Sequence, residues 1–433
     1  MSHPDKPILQ VALDFVDMER ALRVAEEAVA GGADWIEAGT PLIKSEGLNV
    51  VRELKRRFPD HTIVADMKIM DAGRIEVEAA AKAGADLVDV LGAAADSTIA
   101  ECIEAARNFG ARVVADLINV PDPAERARQV EALGVDYVTV HTPIDTQMRG
   151  EVAIDTVRAV AGAVSVPLGA AGGIHSENAA EAVAAGARIV VVGGAITKSA
   201  DARAAAAAIR TALDQHTKVA TDLYRRATEA DVREILLKVS AANLTDALHH
   251  RGVLEGIRSI TPGARLVGPA LTVRTAPGDF AKPVEAIDEA QPGDVIVIEA
   301  GGVGPAVWGE LATHSCLQRK VAGVVIEGGI RDTADIRALG FPSFARHVMP
   351  HSGEPRGLGE IGVPIRIAGV DIRPGDWLLG DDDGVVVVAR ERAVEFANRA
   401  QDVLERENRV REEISRGSTL ASVVQLMKWE KVG

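Results

Sequence analysis

The chain has 433 residues, enough for two domains or three, and its 47% hydrophobic and 26% charged content is ordinary for a globular protein. A net charge of −15 excludes a nonspecific nucleic-acid binder, which needs Lys/Arg surfaces, and favours solubility. Two cysteines far apart, Cys102 and Cys316, exclude a disulfide framework and a CxxC zinc site, and both read as small buried residues. No apolar run approaches transmembrane length, and Met1–Pro7 leads into a strand without a signal-peptide core. The expectation is a cytoplasmic protein with no membrane and no nucleic-acid partner. Only 3% of residues are aromatic, so Ala, Val, Ile and Leu must build the core, which favours an α/β fold.

In chain order, apolar runs alternate with helical patterns. Strands are expected at Ile8–Asp14, Asp34–Gly39, Thr62–Lys68, Asp86–Leu91, Arg112–Ile118, Asp136–His141, Val164–Ala171 and Arg188–Gly193. Helices are expected at Met18–Ala30, Leu48–Phe58, Arg74–Ala83, Ser97–Phe109, Pro123–Leu133, Asn178–Ala185 and Ala202–Leu213. Helices repeatedly end in one turn: Gly32-Ala33-Asp34, Gly84-Ala85-Asp86, Gly186-Ala187-Arg188 and the variant Gly134-Val135-Asp136. Eight right-handed βα units predict a (β/α)8 TIM barrel. A doubly wound sheet is the alternative, but no Gly-x-Gly-x-x-Gly follows the first strand.

In such a barrel, active-site residues occupy the C-terminal ends of strands. Those positions hold Asp14, Glu37, Asp66, Lys68 and His141, with Asp116 a further candidate. Every one is ionisable. Asp66 and Lys68 are two apart, so on a strand they share a side. Glu37 and Asp66 could share a divalent cation, their oxygen ligands suiting Mg²⁺. Lys68 offers a point charge for an anionic intermediate, and His141 a proton shuttle near neutral pH. Asp71 reads first as the cap of the next helix. Strands seven and eight run into Gly172-Gly173 and Gly193-Gly194, where backbone N–H groups can approach an anion. A phosphorylated small molecule is the expected substrate.

Asp66-Met67-Lys68-Ile69-Met70-Asp71 resembles the Asp-x-Lys-x-x-Asp mark of the orotidine-phosphate-decarboxylase superfamily. With Ala12-Leu13-Asp14, Glu37–Gly47 and Val140-His141-Thr142, the stretch from Ile8 to Leu213 is similar to the 3-hexulose-6-phosphate synthases within it. The resemblance implies a reversible Mg²⁺-dependent aldol reaction of formaldehyde with ribulose 5-phosphate, giving arabino-hex-3-ulose 6-phosphate. Mn²⁺ is an alternative cation. It assigns Glu37 and Asp66 to the metal and His141 to proton transfer at the carbon that becomes nucleophilic. It also turns Asp71 from a cap into a residue reaching a neighbouring subunit's site, so a barrel dimer is implied. The related 3-keto-gulonate-6-phosphate decarboxylases share most of this machinery and both reactions pass through an enediolate. Thr40-Pro41-Leu42-Ile43-Lys44 looks more like the synthases.

The second half lacks a Gly/Ser/Pro linker, so the boundary is drawn on composition, giving domains 1–214 and 215–433. Gln215–Val239 reads as continued helix. Short strands follow at Leu266–Val273, Asp294–Glu299, Gly323–Ile326, Pro364–Ile367 and Gly384–Val388, with turns at Gln291-Pro292-Gly293-Asp294 and Arg373-Pro374-Gly375-Asp376. A charged amphipathic helix at Glu391–Glu413 reads as a packed terminal or oligomer-forming helix. Arg331 suits a carboxylate bidentately and Asp332 a hard cation, although a capped turn with a surface ion pair accounts for both. Asp381-Asp382-Asp383-Gly384 reads as a solvated turn, and His249, His250, His314, His347 and His351 lack HExxH spacing.

From Asn243 to Val388 the chain resembles the RraA-like family, an α/β sandwich domain. The motifs are Asp246-Ala247-Leu248, Pro262–Ala270, Gly309-Glu310-Leu311, Gly329-Ile330-Arg331-Asp332 and Asp381–Gly384. Some members are class II aldolases of 4-hydroxy-4-methyl-2-oxoglutarate-type acids with oxaloacetate decarboxylation as a side reaction. Others inhibit an RNA-degrading endonuclease. The aldolase pattern implies that Arg331 and the Gly309, Glu310, Leu311 and Ala312 backbone hold a 2-oxo acid, and that Asp332 binds Mg²⁺ or Mn²⁺. Trimers or hexamers are common in the family. The alternative for this half is a non-catalytic binding or oligomerisation module.

Overall fold

The computed structural model describes residues 6–151, 154–221 and 224–424, so most of the expected run-in to the first strand lies outside the described residues. The chain divides into two compact units. The first is Met1–Gln147, Glu151–Arg226 and Glu405–Gly433; the second is Met148–Gly150 and Ala227–Leu404.

The first unit holds a closed barrel of parallel strands: β1 (Ile8–Leu13), β2 (Trp35–Ala38), β3 (Thr62–Ile69), β4 (Leu87–Leu91), β5 (Arg112–Asp116), β6 (Tyr137–His141), β7 (Leu168–Ala171) and β8 (Ile189–Val192). Each strand pairs with the next, and β1 closes on β8 with Ile8 opposite Ile189. The period of two divides each strand between two cores. Val11, Leu13, Ile36, Ala65, Val88 and Val90 join the layer under the helices. Val64, Leu87 and Val114 fill the barrel interior, where the Trp35 and Tyr137 rings meet edge to face at 5.6 Å.

The repeated Gly-Ala-Asp turn has a physical basis. Gly32, Gly84, Gly134 and Gly186 all take φ between 100° and 111°, a region closed to side chains. The next residue's N–H then reaches back to the helix, as in Ala33 N–H to Ala28 O and Ala85 N–H to Ala80 O. The aspartate that follows does a second job. Asp34, Asp86 and Asp136 each accept the N–H of the neighbouring strand's start, from Leu9, Ile63 and Val113, all at 2.8 Å. One tripeptide thus ends a helix and ties down an adjacent strand.

Four helical segments of the barrel unit have no counterpart among the expected ranges: Thr40–Glu46, Ile144–Met148, Ile154–Ala161 and Gly194–Thr197. None exceeds eight residues, too short to show a clear helical period. The expected helix over Gln215–Val239 is corrected. The helix Ala202–Gln215 stops where His216 turns left-handed at φ 52°, with Thr217 N–H on Ala212 O. The described residues 217–221 and 224–228 are irregular, with the Val219 and Thr221 N–H groups on Ser176 O and Glu177 Oε1, and α-helix resumes at Val232–Lys238. The terminal helix spans Ala393–Ser415. Within the first unit, its Arg409 is buried against Glu27 at 2.8 Å and Glu413 at 3.0 Å, and Glu405 is buried against Arg226.

The second unit is built on a mixed sheet of nine strands: β9 (Arg258–Ser259), β10 (Leu266–Thr275), β11 (Val295–Glu299), β12 (Ala306–Trp308), β13 (Gly323–Ile330), β14 (Ser343–Val348), β15 (Gly359–Ile361), β18 (Trp377–Asp381) and β19 (Gly384–Val388). The hairpin β16 (Ile365–Ile367) and β17 (Val370–Ile372) is separate. β10, β11, β13 and β14 run parallel; β18 and β19 add antiparallel strands at one edge. One sheet face packs on helices Ala281–Glu289 and Glu310–Arg319, the other on the β16–β17 hairpin. Both expected Pro-Gly turns form alike. Asp294 and Asp376 close them by accepting the Gln291 and Arg373 N–H groups, with Gly293 and Gly375 at φ 95° and 86°.

The Val113 N–H is buried and has the Asp136 carboxylate as its acceptor. Asp136→Ala should therefore lower unfolding stability by about 1–3 kcal/mol in chemical denaturation. A loss under about 0.5 kcal/mol would show that the tie adds nothing beyond an ordinary surface contact.

Candidate active site

The strand ends carry the predicted ionisable residues into one place, and β3 explains how. Ala65 pairs with Val88 and Ile69 with Val90, so three residues, 66–68, face the single residue Asp89. The excess is absorbed by a bulge in which Lys68 sits left-handed at φ 50°. Regular strand alternation would also put Asp66 and Lys68 on one side. The bulge goes further and folds Lys68 back, so that its Nζ donates to Asp66 Oδ1 and to Asp116 Oδ2, both at 2.7 Å.

Asp116, at the end of β5, is the hub. Its Oδ2 also meets His141 Nδ1 at 2.9 Å, and its Oδ1 accepts the Ile118 N–H. Burial alone would raise this carboxyl, but the hydrogen bond and charge of His141 and the Lys68 ammonium pull it down to about 2. An ionised carboxylate only accepts, so His141 carries a hydrogen on Nδ1, pointed at Asp116. Burial opposes the charge of Lys68, yet Asp116, Asp66 and Asp89 raise its pKa, so it remains an ammonium.

On β1 and β2 the carboxylates lack such a partner. Glu37 is buried and accepts Gln10 Nε2 at 2.6 Å. Desolvation, then the charges of Asp66, Asp89 and Asp14, push its carboxyl well up. Asp66 takes the Thr40 hydroxyl on Oδ2 at 2.6 Å. Asp14 is open to solvent at the strand end, yet the surrounding protein and Asp66 raise its carboxyl too. A Cβ on Gly39 would come within 2.3 Å of Asp14 Oδ1, so only glycine leaves room for that carboxylate.

Asp89 was missed from sequence. It is 8% exposed, and its Oδ1 is buried without a hydrogen-bond partner. Burial, then Asp66, raise its carboxyl well above the usual range. The only signal was an Asp in the middle of the apolar run Leu87-Val88-Asp89-Val90-Leu91.

The oxygen-only donors Glu37 and Asp66, crowded by further carboxylates and an orphaned Asp89 oxygen, fit a hard divalent cation. Among the described residues no three His, Cys, Asp or Glu side chains converge as a ready-made metal cage.

Gly172 and Gly173 follow β7 at φ 90° and 73°, and a Cβ on Gly172 would fall 2.3 Å from Thr142 O. Asn178 closes their loop by accepting the His175 N–H and donating to Gly173 O. Gly193 and Gly194 follow β8, with Gly193 beside Asp14 Oδ2. Asp71 is exposed and does not cap the following helix. That place falls to Ala72, left-handed at φ 52° and without a side-chain cap bond.

In the second unit Gly309–Ala312 and Arg331–Asp332 are also brought together. Asp332 is left-handed at φ 54°, and its Oδ2 accepts the Glu310 N–H at 3.2 Å and meets Arg331 Nε at 3.3 Å. A Cβ on Gly309 would strike that oxygen at 2.5 Å. Leu311 stands exposed and Ala312 partly buried. Asp381–Asp383 form the β18–β19 turn, Asp381 accepting the Ala241 N–H and Asp382 that of Gly263.

The two kinds of carboxylate respond oppositely to pH. Asp116, depressed to about 2 from 3.8, contributes stability that is present above pH 4 and lost as pH falls towards 2. Asp116→Asn should flatten the melting-temperature profile in that window; an unchanged slope would show that the His141–Lys68 cluster does not hold its charge. Asp89, raised, costs stability as it ionises, so Asp89→Asn should melt higher than wild type at neutral pH without divalent cation. A lower melting point there would mean that the carboxylate is satisfied.

A family model described as Orotidine 5'-phosphate decarboxylase / HUMPS family matches residues 7–209, and one described as RraA-like, Aldolase/RraA, matches residues 241–387. Over 205 residues the chain is 45% identical to a 3-hexulose-6-phosphate synthase of Mycobacterium gastri, covering 47% of this chain and 99% of the relative. It is 40% identical over 194 residues to that of Bacillus subtilis, covering 45% and 92%. A solved structure of the RNA-processing inhibitor RraA from Thermus thermophilis is 28% identical, covering 34% of this chain and 90% of that one, with a TM-score of 0.32. With its barrel built on the strand-end cluster of Lys68, Asp116 and His141, and its relatives named as synthases over nearly their whole length, this chain belongs through residues 7–209 to the orotidine 5'-phosphate decarboxylase / HUMPS family, and carries an RraA-like domain after it.

Proposed function

We propose that the barrel is a 3-hexulose-6-phosphate synthase, joining formaldehyde to ribulose 5-phosphate. The observation that supports it most is the shared Asp116 oxygen, which sets a fixed ammonium and an oriented imidazole side by side at the strand ends. His141 Nε2 would take the proton from the sugar's C1, and Asp116 would stabilise the resulting imidazolium. C1 would then bond to the formaldehyde carbon, whose oxygen would take that proton from the His141 imidazolium as the C=O bond becomes C–OH. Lys68 would face the negative charge that builds on the sugar oxygens. Glu37 and Asp66 would hold Mg²⁺, or Mn²⁺ in its place. When bound, the cation supplies positive charge for the same sugar oxygens. The Gly172–Gly173 and Gly193–Gly194 loops would hold the phosphate, with Asp14 at the mouth. Asp71, exposed, would complete the site of a second barrel, which makes the working form an oligomer. Residues 1–214 and 215–433 would be the functional domains, in the cytoplasm.

For the RraA-like domain we infer a metal-dependent lyase of 2-oxo acids. Arg331 and the Gly309–Ala312 backbone would take the carboxylate, and Asp332 the cation. The convergence of these two segments on one Asp332 oxygen supports this reading.

Purified protein should make hexulose phosphate from formaldehyde and ribulose 5-phosphate with Mg²⁺, and EDTA should abolish it. Asp66→Asn should lower kcat/KM by about 10²–10³-fold without changing the circular dichroism spectrum. No product in the presence of Mg²⁺ would refute the synthase reading. Oxaloacetate decarboxylation should be lost in Arg331→Ala; its absence from the wild type would make the second domain a binding module.

A further inference from the structure

Resting on the phosphate reading of the glycine loops, we propose that Lys198 supplies the cation that holds the substrate's phosphate at Gly193–Gly194. A phosphate dianion held at Gly193–Gly194 would sit beside the Asp14 carboxyl, in a chain of net charge −15. At about 4 Å, each pair of like unit charges costs roughly 1 kcal/mol in water and about 4 near a protein surface. Lys68 is committed to Asp66 and Asp116. Backbone N–H groups bring partial charges only, so the glycine loops alone do not balance the dianion.

The geometry puts an ammonium where it is needed. β8 ends at Val192, and Gly193 O accepts the Ile196 and Thr197 N–H groups. Gly194 O accepts the Lys198 N–H at 3.0 Å, which brings Lys198 back over the glycine pair after one turn. Its side chain then lies along Gly194. A Cβ there would sit 3.4 Å from Lys198 Cε and Nζ and 3.5 Å from Cδ. The neighbouring Gly193 would place a Cβ 3.4 Å from Asp14 Oδ2. The two glycines thus lie between an anion and a cation. The charge of Lys198 favours the ionised form of Asp14, against the surrounding protein and Asp66 that raise its carboxyl overall, so the ammonium is close enough to be felt at the mouth. A lysine is a compact point charge on a flexible stem, suited to a phosphate that arrives and leaves with each turnover.

The test uses the full-length protein with Lys198→Gln and Lys198→Arg. Inorganic phosphate binding, measured by calorimetry, and the KM for ribulose 5-phosphate should both weaken about 10–100-fold in Lys198→Gln, the loss expected for a charge-assisted contact. Lys198→Arg should restore both to within about threefold, because charge rather than ammonium shape is required. Melting curves check that each variant is folded. Phosphate affinity in Lys198→Gln within twofold of wild type overturns the proposal. So does a fall in kcat with phosphate affinity and KM unchanged, since Lys198 would then serve Asp14 instead. The reaction assignment fails separately. A wild type that makes no hexulose phosphate, but whose phosphate binding depends on Lys198, keeps this site and loses the synthase reading. A wild type that binds no phosphate overturns the site.

Discussion

The ammonium of Lys68, held at 2.7 Å between Asp66 and Asp116, is the contact on which the barrel's candidate chemistry depends. It is reached by bending a strand. Three residues of β3 face one of β4, and Lys68 takes a left-handed backbone that costs a side chain roughly 1–2 kcal/mol. That conformation is the one that places its ammonium in two largely buried ion pairs. The same Asp116 oxygen sets the His141 tautomer. One carboxylate therefore fixes the position of the ammonium and the orientation of the imidazole together.

Around this contact the site is overcharged. Glu37, Asp66, Asp89 and Asp116 are all buried, and the Asp89 oxygen that finds no partner is the clearest sign of imbalance. A fold selected for stability alone would replace such a residue. Buried carboxylates with raised pKa values beside one depressed to about 2 are the pattern expected of the cation- and proton-handling site proposed above. The Lys198 ammonium extends the balance outwards, to the place where a second anion would dock.

Much of the barrel was legible because its signals are local. The left-handed glycines at residues 32, 84, 134 and 186 follow from a tripeptide, and the eight strands from apolar runs between them. The strand-end residues Glu37, Asp66, Lys68, Asp116 and His141 were legible because a barrel sends its strand ends to one face. The linker was not. His216 stops a helix at a residue with no helix-breaking signature, and the following segment takes its hydrogen bonds from Ser176 and Glu177, some 40 residues earlier. Short helices such as Thr40–Glu46 likewise owe their existence to the ends they join.

By itself the sequence determined the βα alternation, the turn chemistry and the list of ionisable strand ends, since each rests on neighbours in the chain. It also carried the charge excess. Only the tertiary structure decided which carboxylates share the lysine, that Asp89 lies opposite the bulge, that the Gly-Ala-Asp aspartates tie down adjacent strands, and that Lys198 folds over Gly194. The reason is the same in each case: these contacts are set by register between strands and by the path of a side chain across a turn. Neither quantity is written in the spacing of residues along a single strand.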